Sequence, residues 1–186
     1  MASRPKRATH HRRLDQLKPI DDEDVVRVVL ESPQGSRNKL KYKSETDTFE
    51  VSVSLPAGMS FPFDFGFFPG TKAADGDPLD CLVIMDAPAY PGVLVRVTLL
   101  GVIEAEQSED GSGALRNDRL IAVAEGSTER GELHRLADLD DDLVTQIESF
   151  FATYDRLTGK VFTPIGRRGR RRARKLLDEA TIGDRR

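Results

Sequence analysis

The sequence predicts an α+β fold, a small closed or nearly closed barrel of five or six strands with helices packed outside it. Strand-like apolar runs fill residues 25–124, whereas helical periodicity begins only near residue 140 and recurs toward the C-terminus. Strands that precede helices, rather than alternating with them, are typical of this class of fold. With 186 residues, the chain is long enough for one domain with a substantial core.

The strands are predicted from short runs of β-branched and aromatic residues that turn-forming residues interrupt. These antiparallel-type strands lie at residues 25–30, 39–43, 48–54, 82–85, 93–104 and 119–124. The second and third form a hairpin around residues 44–47, in which Phe49, Val51 and Val53 alternate with polar residues, as in a half-buried strand. The aromatic segment 61–69 is predicted to be a loop, and the Gly/Ser/Asp stretch 108–113 links the last two strands.

Two helices are predicted after the strands. The first begins at the acidic residues 140–142, which suit the positive end of a helix dipole, and ends at Gly159. Its apolar residues recur at helical spacing, at Leu143, Ile147, Phe150, Phe151, Tyr154 and Leu157. A short strand at 161–164 and a second helix over about 169–180 complete the prediction.

Composition favours a protein of the reducing cytoplasm. No apolar stretch approaches the ~20 residues that a membrane helix needs, so no membrane partner is expected. The basic N-terminus is not followed by the apolar segment of a secretory signal. Cys81 is the single cysteine and cannot form an internal disulfide, which agrees with a cytoplasmic location.

Charge and composition divide the chain into three parts. Residues 1–22 form a basic arm that is predicted to be disordered. Residues 23–165 form the barrel domain with its long helix, and residues 166–186 form a basic C-terminal helix and tail. The chain as a whole has a net charge of only −3, because acidic segments balance these ends.

The segment 75–80 (DGDPLD) carries the strongest chemical signal. Asp75, Asp77 and Asp80 place three carboxylates within six residues, and such a group is stable when a cation lies among them. Oxygen ligands without nearby His or Cys favour Mg²⁺, with Mn²⁺ as the alternative, over zinc. An isolated Asp-Gly-Asp is more often a solvated turn. An EF-hand is disfavoured because its loop needs Gly where Asp80 stands.

Four segments together resemble the soluble family I inorganic pyrophosphatases, in the order that this family has. They are DGDPLD, the segment 31–39 (ESPQGSRNK), the aromatic loop Phe61-Pro62-x-x-Phe65-Gly66, and Phe150-Phe151-x-x-Tyr154. The resemblance implies a small OB-like, five-stranded closed β-barrel with flanking C-terminal helices, assembled as a homo-oligomer. It also implies Mg²⁺-dependent hydrolysis of pyrophosphate to two phosphates.

The same resemblance implies roles for individual residues. The family's metal-site positions are matched by Asp75, Asp77, Asp80, Glu31 and Asn117. Its phosphate-contacting positions are matched by Lys39, Arg119 and Tyr154. Asp77 also matches the residue that orients the attacking water and removes its proton.

Several positions depart from the family's pattern. Acidic residues are replaced by Lys41, Gln107 and Asn117, cationic residues by Val53 and Asp155, and the asparagine and tyrosine of the aromatic loop by Asp64 and Phe65. Fewer acidic ligands weaken the binding of a hard cation. Each lost charged contact costs about 1.5–3 kcal/mol. Asp110 and Asp118 are nearby carboxylates that could substitute for the missing ligands.

The sequence is compatible with three functions. The first is a Mg²⁺-dependent inorganic diphosphatase. The second is a member of the same family with lost or altered activity, which binds or hydrolyses another phosphorylated ligand or serves as a structural subunit. The third is binding of nucleic acid or another polyanion through the arginine cluster 167–174. The alternative roles of this cluster are a solvated basic face of a helix or a contact with a neighbouring subunit.

Overall fold

The structure is a computed structural model that describes residues 13–109 and 113–183. Nine strands and two α-helices lie in these ranges. The strands are β1 (Val26–Ser32), β2 (Asn38–Lys43), β3 (Thr48–Ser54), β4 (Asp64–Phe67), β5 (Asp80–Ile84), β6 (Leu94–Glu109), β7 (Leu115–Arg116), β8 (Arg119–Ala124) and β9 (Lys160–Gly169). The helices are α1 (Asp141–Leu157) and α2 (Arg170–Ala180), and both confirm the predicted helices.

Five of the strands pair in a ring. The order is β1–β4–β5–β8–β6, and β6 pairs in turn with β1. All of these pairs are antiparallel except β5–β8, which is parallel, so the prediction of antiparallel-type strands is wrong for this pair. The parallel arrangement is possible because the chain crosses through β6 and β7 between the two strands, which supplies the long connection that parallel pairing requires.

Two segments are more regular than the sequence predicts. Residues 64–67, predicted as loop, form β4, which pairs with both β1 and β5. Gly66 permits this position, because a Cβ there would collide with the carbonyl oxygen of Val29 on β1. The strand predicted at 161–164 extends over Lys160–Gly169, because it pairs with the long β6 across a register shift at Glu104/Ala105.

The ring has two apolar faces. Leu82 and Ile84 of β5 face a cluster that includes Phe151 of α1, whereas Cys81 and Val83 face a second cluster that includes Leu177 of α2. Burial on both faces explains why β5 and β8 are continuous apolar runs instead of alternating ones. The β2–β3 hairpin forms a separate two-stranded sheet beside this ring.

The ends of the chain can be compared with the predicted division only where they are described. Residues 1–12 of the predicted arm and 184–186 of the predicted tail lie outside the described residues. Within the arm, Leu14–Gln16 form a 3-10 turn, and Ile20 forms an isolated β-bridge with Val26. Neither helix of the described part has the length and apolar character that crossing a bilayer requires.

Asp64, at the start of β4, is a buried carboxylate with incomplete hydrogen bonding. Its Oδ1 accepts a hydrogen bond of 3.1 Å from the backbone N–H of Ala89, while its Oδ2 has no partner among the described residues. Burial raises the pKa of Asp64 above its usual value, because the charged form is poorly solvated there. The ionised carboxylate therefore lowers the stability of the fold at neutral pH.

We predict that Asp64→Asn raises the free energy of unfolding at pH 8 by about 1–2 kcal/mol, because a buried neutral amide costs less than a buried charge. Because its pKa is raised, the wild-type carboxyl is neutral in acid, where it does not destabilise the fold. It lowers the free energy of unfolding as the pH rises and it ionises. Urea unfolding at several pH values should therefore show that the difference in the free energy of unfolding between Asp64→Asn and the wild type decreases toward pH 4. Asp22→Asn, at an exposed position, is the control. A difference that is equal at both pH values would contradict the prediction.

Candidate active site

A cavity of about 720 Å³ opens between the β2–β3 hairpin and the ring of strands. Its walls come from the hairpin, the loop before β5, the C-terminal part of β6, the start of β8 and the end of α1. All eight residues to which the family resemblance assigns a metal-binding, catalytic or phosphate-contacting role line this cavity. They are Glu31, Lys39, Asp75, Asp77, Asp80, Asn117, Arg119 and Tyr154. The fold therefore brings together residues that are widely separated in the chain.

The loop that carries DGDPLD is shaped by its own hydrogen bonds. The backbone N–H of Ala73 donates to the carbonyl oxygen of Asp77 at 2.7 Å, and the N–H of Asp77 donates to Oδ1 of Asp75 at 3.1 Å. Gly76 has a φ of 91°, a conformation that other residues rarely adopt. Burial raises the pKa of Asp75, and nearby Asp80 and Asp77 add to the effect. The turn thus presents three carboxylates to the cavity at defined positions.

Two of these carboxylates are paired with cationic side chains. The Nζ of Lys41 lies 2.7 Å from Oδ2 of Asp77, and Nη1 of Arg119 lies 2.8 Å from Oδ2 of Asp80. Among residues 13–109 and 113–183, no three His, Cys, Asp or Glu side chains are grouped so that they could hold a metal ion together. Lys41 and Arg119 therefore balance the charges of Asp77 and Asp80 in this structure.

Glu31 is buried on β1 behind these aspartates. Its Oε1 accepts a hydrogen bond of 2.7 Å from the backbone N–H of Tyr42. Burial raises the pKa of Glu31 to about 7, and the charge of Asp80 contributes in the same direction. Burial therefore disfavours the ionised form of Glu31, and a cation entering the site would favour it.

The cationic wall of the cavity rests on aromatic rings. The Nζ of Lys39 lies 5.0 Å from the ring centre of Tyr154 and 5.7 Å from that of Phe65. The guanidinium of Arg119 lies 5.0 Å from the ring centre of Phe151. These distances are within the range of cation–π interactions, which hold a cation in place without neutralising it. Phe65, which lacks the hydroxyl of the family's tyrosine, therefore still supports the positively charged wall.

The neutral replacements Gln107 and Asn117 take part in one continuous chain of hydrogen bonds. Arg119 donates through Nη1 to Oδ1 of Asn117, Asn117 donates through Nδ2 to Oε1 of Gln107, and Gln107 donates through Nε2 to Oδ2 of Asp155. Asp155 is only 1% exposed. We call this chain from Arg119 to Asp155 the amide relay. It satisfies the buried carboxylate at the position where the family's pattern has a lysine.

Asp110 and Asp118 are the two carboxylates that were predicted to substitute for the missing metal ligands. Asp110 lies outside the described residues. Asp118 does not line the cavity, because its carboxylate is 2.8 Å from Arg116 and accepts a hydrogen bond from the backbone N–H of Ala105. Asp118 therefore stabilises the pairing of β6 with the β7–β8 segment and does not restore an acidic ligand.

Lys160 is a cavity residue that sequence reasoning missed. It begins β9, lines the cavity and forms an ion pair of 2.7 Å with Glu109 at the end of β6. It adds a cation on the same side of the cavity as Asp155, where the family's lysine is absent. Its position directly after Gly159, which ends the helix that carries Tyr154, is the signal that could have indicated it.

Four acidic residues of the cavity carry the type of donor atom that a hard divalent cation prefers. Asp75, Asp77, Asp80 and Glu31 offer carboxylate oxygens on one side of the cavity, and such oxygens are the ligands that Mg²⁺ prefers. On the other side, Asn117 and Gln107 are neutral and already engaged with each other. In this structure, however, no three of these carboxylates are grouped closely enough to hold an ion together, within the part of the chain that the structure describes.

Comparisons with known proteins support the family resemblance. The family model described as inorganic pyrophosphatase matches residues 28–182. The inorganic pyrophosphatase of Methanosarcina mazei is 33% identical over 161 residues, which are 87% of this chain and 92% of that protein. The crystal structure of the inorganic pyrophosphatase from Thermus thermophilus has a TM-score of 0.82 and 32% identity, and the match covers 92% of this chain and 97% of that chain. The family inferred from the sequence motifs is thereby confirmed.

The amide relay leads to a stability prediction. We expect Gln107→Leu to lower the free energy of unfolding by about 1–3 kcal/mol, because the buried carboxylate of Asp155 loses its hydrogen-bond donor. Adding Asp155→Asn to that variant should restore part of the loss by removing the charge. Urea unfolding measures both changes, and Gln146→Leu on the exposed face of α1 is the control. If Gln107→Leu were as stable as this control, the relay would not contribute to stability.

Proposed function

The chain belongs to the inorganic pyrophosphatase family, and we propose that it hydrolyses pyrophosphate to two phosphates with Mg²⁺, or Mn²⁺ in its place. The observation that carries this proposal is the convergence of all eight predicted residues on one cavity. An acidic side suited to a divalent cation faces a cationic side suited to phosphate oxygens. This combination is what hydrolysis of a highly charged phosphoanhydride requires.

The acidic side would hold the metal ion and the attacking water. Asp75, Asp77 and Asp80 would hold the ion, and Glu31 would supply a further carboxylate. The amide oxygen of Asn117 accepts a hydrogen bond from Arg119 and would have to leave it to reach the ion. When bound, Mg²⁺ lowers the pKa of coordinated water and neutralises charge on the phosphoryl oxygens. Asp77 orients the water and accepts its proton as the water oxygen attacks phosphorus. The bridging P–O bond breaks, and the second phosphate leaves with the electron pair.

The cationic side would bind the substrate and its leaving group. Lys39 and Arg119 supply positive charge, and the hydroxyl of Tyr154 supplies a hydrogen bond. Positive charge at these positions stabilises the negative charge that spreads over the phosphoryl oxygens in the transition state. Lys160 provides an additional cation near Asp155, so the loss of the family's lysine at position 155 is compatible with turnover.

The remaining structural and cellular properties follow as parts of the same proposal. The ring of paired strands supports the closed, five-stranded OB-like barrel that the resemblance implies. We propose that the domain spans residues 23–165, that the protein is cytoplasmic and that it forms a homo-oligomer. Exposed apolar side chains on β9, Val161 and Ile165, support a contact between subunits.

Binding of nucleic acid is not proposed, because acidic partners lie beside most of the C-terminal arginine cluster. Arg167 pairs with Glu148 at 2.8 Å, Arg172 pairs with Glu104 at 2.9 Å, and Arg174 pairs with Asp24 at 2.8 Å. A polyanion would have to displace these contacts. The pairing instead supports a role of the cluster in attaching β9 and α2 to the rest of the domain.

The assignment of Asp77 is tested by measuring phosphate release from pyrophosphate across a Mg²⁺ and Mn²⁺ titration. We expect metal-dependent release by the wild type and a fall of about 10²–10⁴-fold in Asp77→Asn, the range typical of losing a general base. Asp22→Asn should retain full activity. Unchanged release by a folded Asp77→Asn variant would exclude Asp77 as the base. Absence of release by the folded wild type at every metal concentration would favour the hypothesis of lost or altered activity.

A further inference from the structure

Lys41 brings a positive charge into the acidic side of the cavity. Its side chain is 37% exposed, and its Nζ lies 2.7 Å from Oδ2 of Asp77. Glu31 and Asp80 also act electrostatically on the same ammonium group. One lysine therefore interacts with three of the carboxylates that face the cavity.

The backbone of β2 holds Lys41 in this position. On one side of it, the N–H of Leu40 donates to the hydroxyl oxygen of Ser32 at 2.9 Å. On the other side, the N–H of Tyr42 donates to the carboxylate of Glu31 at 2.7 Å. Both acceptors belong to β1, so these two hydrogen bonds attach β2 to the ring on either side of Lys41. The ammonium group is thus delivered from a fixed strand and not from a loop.

Lys41 reduces the net negative charge of the cavity. Among the described residues, six carboxylates and four cationic side chains line the cavity, which leaves a formal charge of −2. One divalent cation is enough to neutralise that charge. If position 41 were neutral or acidic, the cavity would carry one or two more negative charges, and a second divalent cation would be needed to balance them.

We propose that Lys41 is a built-in cation of this site, which takes the place of one divalent ion beside Asp77. The inference builds on the proposed function in placing a metal ion among Asp75, Asp77 and Asp80. Lys41 covers one oxygen of Asp77 and leaves the cavity with the charge that a single ion balances. Arg119 has a parallel effect at Asp80, where its buried guanidinium lies 2.8 Å from the carboxylate. The protein therefore operates with fewer metal ions than its carboxylates alone would bind.

The test counts bound Mn²⁺ on the metal-depleted full-length protein by electron paramagnetic resonance and calorimetry. We expect one equivalent for the wild type and one additional equivalent for Lys41→Glu. Lys41→Gln removes only the charge and should bind the first ion about tenfold more tightly, because a positive charge no longer opposes it. Lys43→Glu makes the same charge change on the same strand outside the cavity, and it should match the wild type.

The outcomes separate this inference from the proposed function. Equal numbers and affinities of Mn²⁺ for the wild type, Lys41→Gln and Lys41→Glu would overturn it, as would an equal gain in Lys43→Glu. If Lys41→Glu fails to fold, the affinity of Lys41→Gln decides alone. Pyrophosphate hydrolysis is measured on the same samples. A wild type without hydrolysis whose Lys41 variants gain Mn²⁺ would refute the proposed substrate and leave the role of Lys41 standing.

Discussion

Arg119 carries a charge into the interior, with only 3% of the residue exposed, and the cavity is organised around that charge. The Nε of Arg119 has no hydrogen-bond partner among the described residues, and its polar contacts are made through Nη1. An unpaired buried guanidinium would be very costly, so its neighbours must compensate its charge. Asp80 does so from the start of the adjacent parallel strand, Asn117 does so from the turn before β8, and the ring of Phe151 covers it from α1. The pairing of β5 with β8 and the docking of α1 thus depend on the same group that is proposed to contact the substrate.

Much of the fold could be predicted because its signals are local. The apolar periodicity of α1 and the β2–β3 hairpin are visible within short windows of sequence, and the structure confirms the helix and the pairing. The predicted half-buried face of β3 is wrong at Val51, which is 59% exposed. The errors occurred where pairing with distant segments decides the conformation. The aromatic segment around Gly66 looks like a loop by composition, but β1 and β5 on its two sides make it a strand. Likewise, β9 is long because β6 provides it with a partner throughout.

The candidate site was predictable as a set of positions and not as a set of contacts. DGDPLD and the other motifs identify which residues meet, because those motifs are short and specific. They do not show that Lys41 turns toward Asp77, or that Gln107 and Asn117 bind each other. Such partners are 36 and 10 residues apart in the chain, and only the folded arrangement of strands brings them together. Considered one at a time, these substitutions remove charged groups of the family's site. In the structure, the substituted residues form hydrogen bonds or ion pairs with other residues of the cavity.

The amide relay also bears on how this chain could have diverged from its relatives. Each member of the relay donates to the next, so a change at Asn117, Gln107 or Asp155 removes a partner from its neighbour. Restoring a lysine at 155 alone would set two donors, an ammonium and the amide of Gln107, against each other. The effects of changes at these three positions therefore depend on one another, and single changes toward the common pattern of the family lower stability unless several positions change together.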